Sequence, residues 1–261
     1  SRPNWPVTLP MALVLGLVLG LGAAFARYRT DTTVYAPSDL AEYGFSVLGV
    51  VPQVKGVKGQ QSGVNPALVT LTDPFAPSAE SYRHLQASLY ARLGTEAGGT
   101  SSIVVTSPEV GSGKSVTAIN LAISAAQAGL RTLIVDADLR RPSVHDYLGL
   151  GPNPPAGSQG AGMNMVYWNT SVRNLFALTV REPVDSPEQL WSGEEVYRLI
   201  DRLSGTFDLI IFDAPPALVA ADASFFAVHT DAAVLVASAG DTSGEALTQT
   251  AAELSGAGGY I

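Results

Sequence analysis

Cysteine is missing from this chain altogether, which excludes disulfides, thiolate metal sites and thiol nucleophiles. Histidine is scarce. His84, His145 and His229 stand far apart, no two share the i, i+4 spacing of a helical ligand pair, and they read as surface or capping residues. Positive charge is thin as well: 15 Lys and Arg face 23 Asp and Glu, for a formal charge of −8, and no basic cluster is longer than Arg140-Arg141. General nucleic-acid binding normally needs a basic face, so that class is disfavoured. No internal repeat is present. Apolar residues are plentiful, at 46% of 261 residues, enough to bury the core of one ordinary domain with appendages.

Much of that apolar content sits at one end. Residues 6–26, PVTLPMALVLGLVLGLGAAFA, carry no charge and, at helical rise, are long enough to cross a bilayer core of roughly 30 Å. Arg27 and Arg29 follow the run and only Arg2 precedes it, so the positive-inside rule puts everything after residue 27 in the cytoplasm of a plasma-membrane (inner-membrane) protein. Ala24-Phe25-Ala26 also resembles a signal-peptide cleavage site, but the run exceeds the usual h-region, and a nucleotide loop further on would meet no ATP outside the cell. A retained transmembrane helix is therefore expected. Gly16 and Gly20 form a G-x-x-x-G pair, which reads either as a helix-packing face or as the ordinary glycine content of membrane helices.

The expected organisation is a transmembrane helix with a short flank over 1–27, a juxtamembrane segment over 28–52, a linker over 53–77 and a cytoplasmic nucleotide-binding domain over 78–261. Pro37-Ser38-Asp39 marks a helix start before the apolar run Val47 to Val51, and QVKGVKGQQSGVNP has the glycine-rich polar composition of a flexible linker. From Ser78 a helix is expected, with Tyr82, Leu85, Leu89 and Leu93 on one face and Gly94 at its end. Beyond it the pattern alternates strand and helix. The strand candidates Ser102 to Thr106, Thr132 to Asp136, Leu175 to Val180, Leu209 to Asp213 and Ala233 to Ala237 are continuous apolar runs, the signature of strands buried on both faces. The fold class that follows is α/β, a P-loop NTPase-like parallel sheet flanked by helices and preceded by one transmembrane helix.

In such sheets the ligand lies beyond the carboxyl ends of the strands, and three of those ends carry chemistry. The first is SPEVGSGKS, residues 107–115, where Gly111, Ser112 and Gly113 let backbone N–H groups approach a phosphate at the start of a helix opening with Lys114, Ser115 and Val116. Lys114 would reach the terminal phosphates and the Ser115 hydroxyl would ligate Mg2+; Pro108 occupies the slot where the usual motif has its first glycine. The second is TLIVDADLRRP, which delivers Asp136 and Asp138; the third is FDLIIFDAPP, which delivers Asp213 before Pro215-Pro216 stop further pairing. Phosphoryl transfer needs a metal ion, a lysine on the phosphates and carboxylates that hold the metal and its waters. The three ends together supply that set.

TSPEVGSGKSVTAINLA, LIVDADLRRP and FDLIIFDAPP resemble the phosphate loop and two aspartate motifs of the bacterial tyrosine autokinases that are fused to, or paired with, polysaccharide chain-length regulators. The tail DTSGEALTQTAAEL resembles the helix after that family's next strand, and the apolar helix with APSDLAEYGFSVLGVVP resembles the last membrane segment of the regulator module. The resemblance implies a membrane-anchored, ATP-dependent protein-tyrosine autokinase controlling exopolysaccharide or capsule synthesis and chain length. It also implies a homo-oligomer working with the polysaccharide biosynthesis machinery. Lys114 and Ser115 would bind ATP and Mg2+, Asp138 and Asp213 would hold the metal, and Asp136 would position or deprotonate the incoming tyrosine hydroxyl. Glu80 and Arg83 fit the family's Glu-x-x-Arg-x-x-Arg assembly helix, with Gln86 in the third place, and the nine tyrosines are scattered rather than clustered. The chain reads as a fragment of a longer protein. Two alternatives remain open. One is a partition- or septum-type ATPase, in which a second lysine would stand where this loop has Glu109; the other is an inactive membrane scaffold with a nucleotide domain.

Overall fold

The computed structural model describes residues 5–53, 65–94, 99–151, 165–180, 184, 191, 193–256 and 258. The chain divides into two units, Ser1–Thr33 and Val34–Ile261. The first holds helix α1 (Trp5–Thr30), whose stretch Leu9–Arg27 has a mean hydropathy of 2.2 and is long and apolar enough to cross a membrane. From Leu9 onward its leucines and valines are exposed around the whole circumference, as a helix facing hydrocarbon requires.

The second unit is built on a six-stranded sheet in the order β3-β4-β2-β5-β1-β6, formed by β1 (Ser101–Thr106), β2 (Thr132–Asp136), β3 (Val166–Asn169), β4 (Leu175–Thr179), β5 (Leu209–Asp213) and β6 (Ala232–Leu235). The three central strands are continuous apolar runs because alternate residues feed two cores. Ile103, Val105, Ile134, Leu209 and Ile211 enter one; Val104, Leu133, Val135, Ile210 and Phe212 enter the other. All neighbours are parallel, as expected, except for the edge pair β3 and β4, which runs antiparallel. β3 was not anticipated from the sequence. It is a short strand in which buried Val166 and Trp168 alternate with the less buried Tyr167 and Asn169, as an antiparallel edge allows.

Helices cover both faces. The first core is closed by α3 (Val69–Thr72), α4 (Pro77–Leu93), α5 (Lys114–Gln127) and α6 (Val144–Tyr147). α4 buries Tyr82, Leu85 and Leu89 as the spacing predicts and ends at Gly94 with φ 58°, a left-handed cap that glycine adopts without Cβ strain. The second core is closed by α7 (Gly193–Leu203), α8 (Asp222–His229) and α9 (Gly244–Gly256). A last helix, α2 (Pro37–Glu42), begins where Asp39 Oδ2 accepts from the N–H groups of Tyr35 and Ala36, both at 2.9 Å.

Segments expected to lie outside the domain pack onto it. Val34 exchanges backbone hydrogen bonds with Thr242 and Gly240, each 2.9 Å, and Leu48 and Val51 lie against the first core. Within the stretch read as a linker, residues 54–64 are outside the described residues, while Leu68, Val69 and Thr70 are fully buried. Asn120 on α5 fastens that segment: its Oδ1 accepts from Thr70 N and Oγ1, and its Nδ2 donates to Ala67 O and to Val116 O. The expected C-terminal residues Gly259 to Ile261 are outside the described residues.

Candidate nucleotide site

The three chemistry-bearing strand ends meet because β1, β5 and β2 are consecutive parallel neighbours, so their carboxyl ends emerge side by side. β1 leads into the glycine loop, where Gly111 and Gly113 have φ of 91° and 82°, a region open to glycine at little cost. The loop braces itself: Ser107 Oγ donates to Glu109 O at 2.7 Å and Ser112 Oγ to the same oxygen at 3.1 Å. Gly113 is the N-cap of α5 and offers no side-chain cap, and no acidic residue occupies the first turn, so the leading N–H groups and the positive end of the dipole are left for an anion. The loop of β5 is tied to the same place, since Ala217 N donates to Ser107 O at 2.9 Å and Thr106 Oγ1 donates to Pro215 O at 2.7 Å.

Lys114 stands at the centre. Its Nζ is 3.1 Å from Asp138 Oδ2 and 3.7 Å from Asp213 Oδ1, and it donates to Ser115 Oγ at 3.3 Å. Burial alone would lower the lysine pKa, but the carboxylates of Asp213, Asp138 and Asp136 outweigh it and hold the ammonium above its ordinary range. Asp138 is positioned by its own turn, accepting from Arg141 N through Oδ1 at 3.1 Å.

The other two carboxylates are fully buried. Asp136 faces Asp213 across the β2–β5 register. Asp136 Oδ2 accepts from Ser143 N and Val144 N at 2.8 and 2.9 Å, which ties it to the start of α6, whereas Oδ1 has no hydrogen-bond partner. Desolvation, with repulsion from Asp213 added, raises Asp136 well above the usual carboxylate range against the pull of those two N–H groups. Both oxygens of Asp213 lack a hydrogen-bond partner; its pKa is raised by burial and held back in part by Lys114 and Ser115.

Three buried carboxylate oxygens that accept no hydrogen bond are costly in a folded chain, a cost that a bound cation would relieve. Among the described residues no three His, Cys, Asp or Glu side chains already form a cage for a metal ion. The donor set fits magnesium, which keeps waters and draws few direct ligands from protein. Of the expected site residues, Ser115, Asp138 and Asp213 lie within 3.7 Å of the Lys114 ammonium, Gly111 to Gly113 form the turn that leads into it, and Asp136 is the register partner of Asp213. Sequence reasoning missed the backbone N–H groups of Arg141, Ser143 and Val144, which carry no residue-type signal.

A family model described as ParA, NUBPL iron-transfer P-loop NTPase, matches residues 99–252. The tyrosine-protein kinase YwqD of Bacillus subtilis is 31% identical over 192 residues, covering 72% of this chain and 80% of that protein. The protein named tyrosine-protein kinase EpsB of Ralstonia solanacearum is 30% identical over 251 residues, covering 90% of this chain and 32% of its own length, so the chain spans about a third of that relative. Among solved structures, the chimerical protein CapA2B2 superposes with a TM-score of 0.73 at 25% identity, covering 87% of this chain and 96% of that one. The kinase domain of the Escherichia coli tyrosine kinase ETK shares the fold, with a TM-score of 0.76 at 23% identity over 87% of this chain and 92% of that one.

Proposed function

We propose, from the premise that this chain belongs to the bacterial tyrosine-protein kinases within the ParA-type P-loop NTPases, that it transfers the γ-phosphoryl group of ATP to tyrosine hydroxyls. Nucleotide binding comes with the family; the acceptor, the metal and the setting are the proposal. The observation that carries it is Lys114 held between Asp138 and Asp213 at an uncapped helix start, with both oxygens of Asp213 free of hydrogen bonds.

The loop N–H groups and the start of α5 bind the phosphates, and phosphate oxygens compete with Asp138 for the Lys114 ammonium. Ser115 would be a direct magnesium ligand, with Asp138 and Asp213 direct or through water; the ion supplies charge neutralisation on the phosphates when bound. Asp136 keeps its Oδ2 on the α6 N–H groups and has Oδ1 to spare. Its raised pKa makes it a stronger proton acceptor than an ordinary aspartate, which suits a residue that positions or deprotonates the tyrosine hydroxyl. The same oxygen would serve equally to order a metal-bound water. The apolar helix α1 anchors the chain in the plasma membrane, with the nucleotide domain on the cytoplasmic side. There it acts as a homo-oligomer on the machinery that makes exopolysaccharide or capsule and sets its chain length.

The full chain in nanodiscs, incubated with magnesium and ATP and read by phosphotyrosine mass spectrometry beside released phosphate, tests this. Phosphotyrosine supports the kinase. Phosphate release without it supports a partition-type ATPase, and neither product supports a scaffold.

A further inference from the structure

Two adjacent arginines follow Asp138, and the fold uses them differently. Arg140 is committed: its guanidinium pairs with Asp222, a buried residue at the start of α8. Arg141 is exposed, and its guanidinium makes no hydrogen bond or ion pair with any described residue. Its backbone is nonetheless fixed. Arg141 N donates both to Asp138 O and to Asp138 Oδ1, each at 3.1 Å, Pro142 restricts it to extended backbone, and Ser143 N and Val144 N are held by Asp136. The Arg141 backbone is thus fastened to Asp138 and lies two residues before the segment that Asp136 holds, while its guanidinium is uncommitted among the described residues.

The site is short of positive charge. Three carboxylates surround one lysine, and the phosphate loop presents Glu109 rather than a second cation. A triphosphate adds further negative charge, most of all at its γ end, and phosphoryl transfer elsewhere commonly relies on an arginine to meet that charge. Resting on the nucleotide reading above, we propose that Arg141 is the cis-acting cation for the γ-phosphoryl group, and so the residue through which the site distinguishes ATP from ADP. No covalent role is implied; the guanidinium donates hydrogen bonds to the phosphoryl oxygens.

Calorimetric titration of magnesium with ATP, and separately with ADP, into the full chain in nanodiscs tests this. Arg141→Ala should weaken ATP by about tenfold to a hundredfold, the range of a lost charge-assisted pair, and leave ADP affinity unchanged, which also reports an intact fold. Arg141→Lys should recover part of the discrimination because it keeps the charge and loses the fork. Arg140→Ala should leave the ATP-to-ADP ratio as it is in the parent. An unchanged ratio in Arg141→Ala, or an equal loss for both nucleotides, overturns the assignment while leaving the nucleotide site standing. Failure of the parent chain to bind ADP at all would overturn both.

Discussion

Replacing Asp136 by asparagine should make the nucleotide-free protein more stable while it damages phosphoryl transfer. Asp136 and Asp213 are register partners on adjacent strands, so their backbones are about 5 Å apart. At an effective dielectric of about 20, two ionised carboxylates about 5 Å apart would repel by about 3 kcal/mol once the pH is above both their folded-state pKa values. Against this, asparagine can keep one oxygen on the Ser143 and Val144 N–H groups, losing only the charge-assisted increment of two bonds, about 1 to 2 kcal/mol in all. The net gain is about 1 to 2 kcal/mol, a rise in Tm of roughly 2 to 8 °C for a domain of this size. The pH dependence fixes the cause. Because the folded-state pKa of Asp136 is raised, the folded chain holds that proton more tightly than the unfolded chain does. The cost of the ionised group is absent below the unfolded value, develops as pH rises through the folded one, and is complete above it. Thermal unfolding of both proteins in EDTA, followed by circular dichroism from pH 4.5 to 8, should therefore show a gap that widens with pH. A lower Tm in the variant, or a gap independent of pH, would refute the reasoning.

Lys114→Met strips the cation that pairs with Asp138 and Asp213 and should cost about 3 to 5 kcal/mol in urea unfolding, as well as abolishing ATP binding by fluorescence anisotropy. Gly244→Ala places a Cβ 2.1 Å from the Tyr43 ring, so the ring must leave; faster hydrogen exchange at residues 34–45 is expected, and Tyr43→Ala in the same chain should restore protection. For topology, a cytoplasm-dependent reporter fused at residue 60 should be active and an export-dependent one silent, since Arg27 and Arg29 flank α1 on that side.

The site was legible from sequence because its parts are local: a glycine turn between strand and helix, and carboxylates at the tips of apolar strands. β1, β2 and β5 could be read for the same reason, each being a short run filling two cores. The features that escaped depend on contacts distant in the chain. Leu68 to Thr70 follow a polar, glycine-rich stretch, and their burial rests on Asn120, fifty residues from Thr70. Tyr43 against Gly244 and Val34 against Thr242 are more remote still in sequence. β3 lies beyond a long Gly/Pro-rich segment and pairs antiparallel, so neither continuous apolarity nor position announced it. The division of Arg140 from Arg141 depends on where α8 begins, which two identical side chains cannot disclose.

The ends of β1, β2 and β5 form one metal-nucleotide site if a single bound nucleotide and its metal ion meet all three. A crystal structure of the full chain with magnesium and a non-hydrolysable ATP analogue measures that directly. The predicted result has the phosphates on the N–H groups of residues 111–116, Lys114 on their terminal oxygens, and the metal on Ser115 Oγ with Asp138 and Asp213 bound directly or through one water. Nucleotide seated elsewhere, or a metal ion out of reach of Asp213, would contradict it.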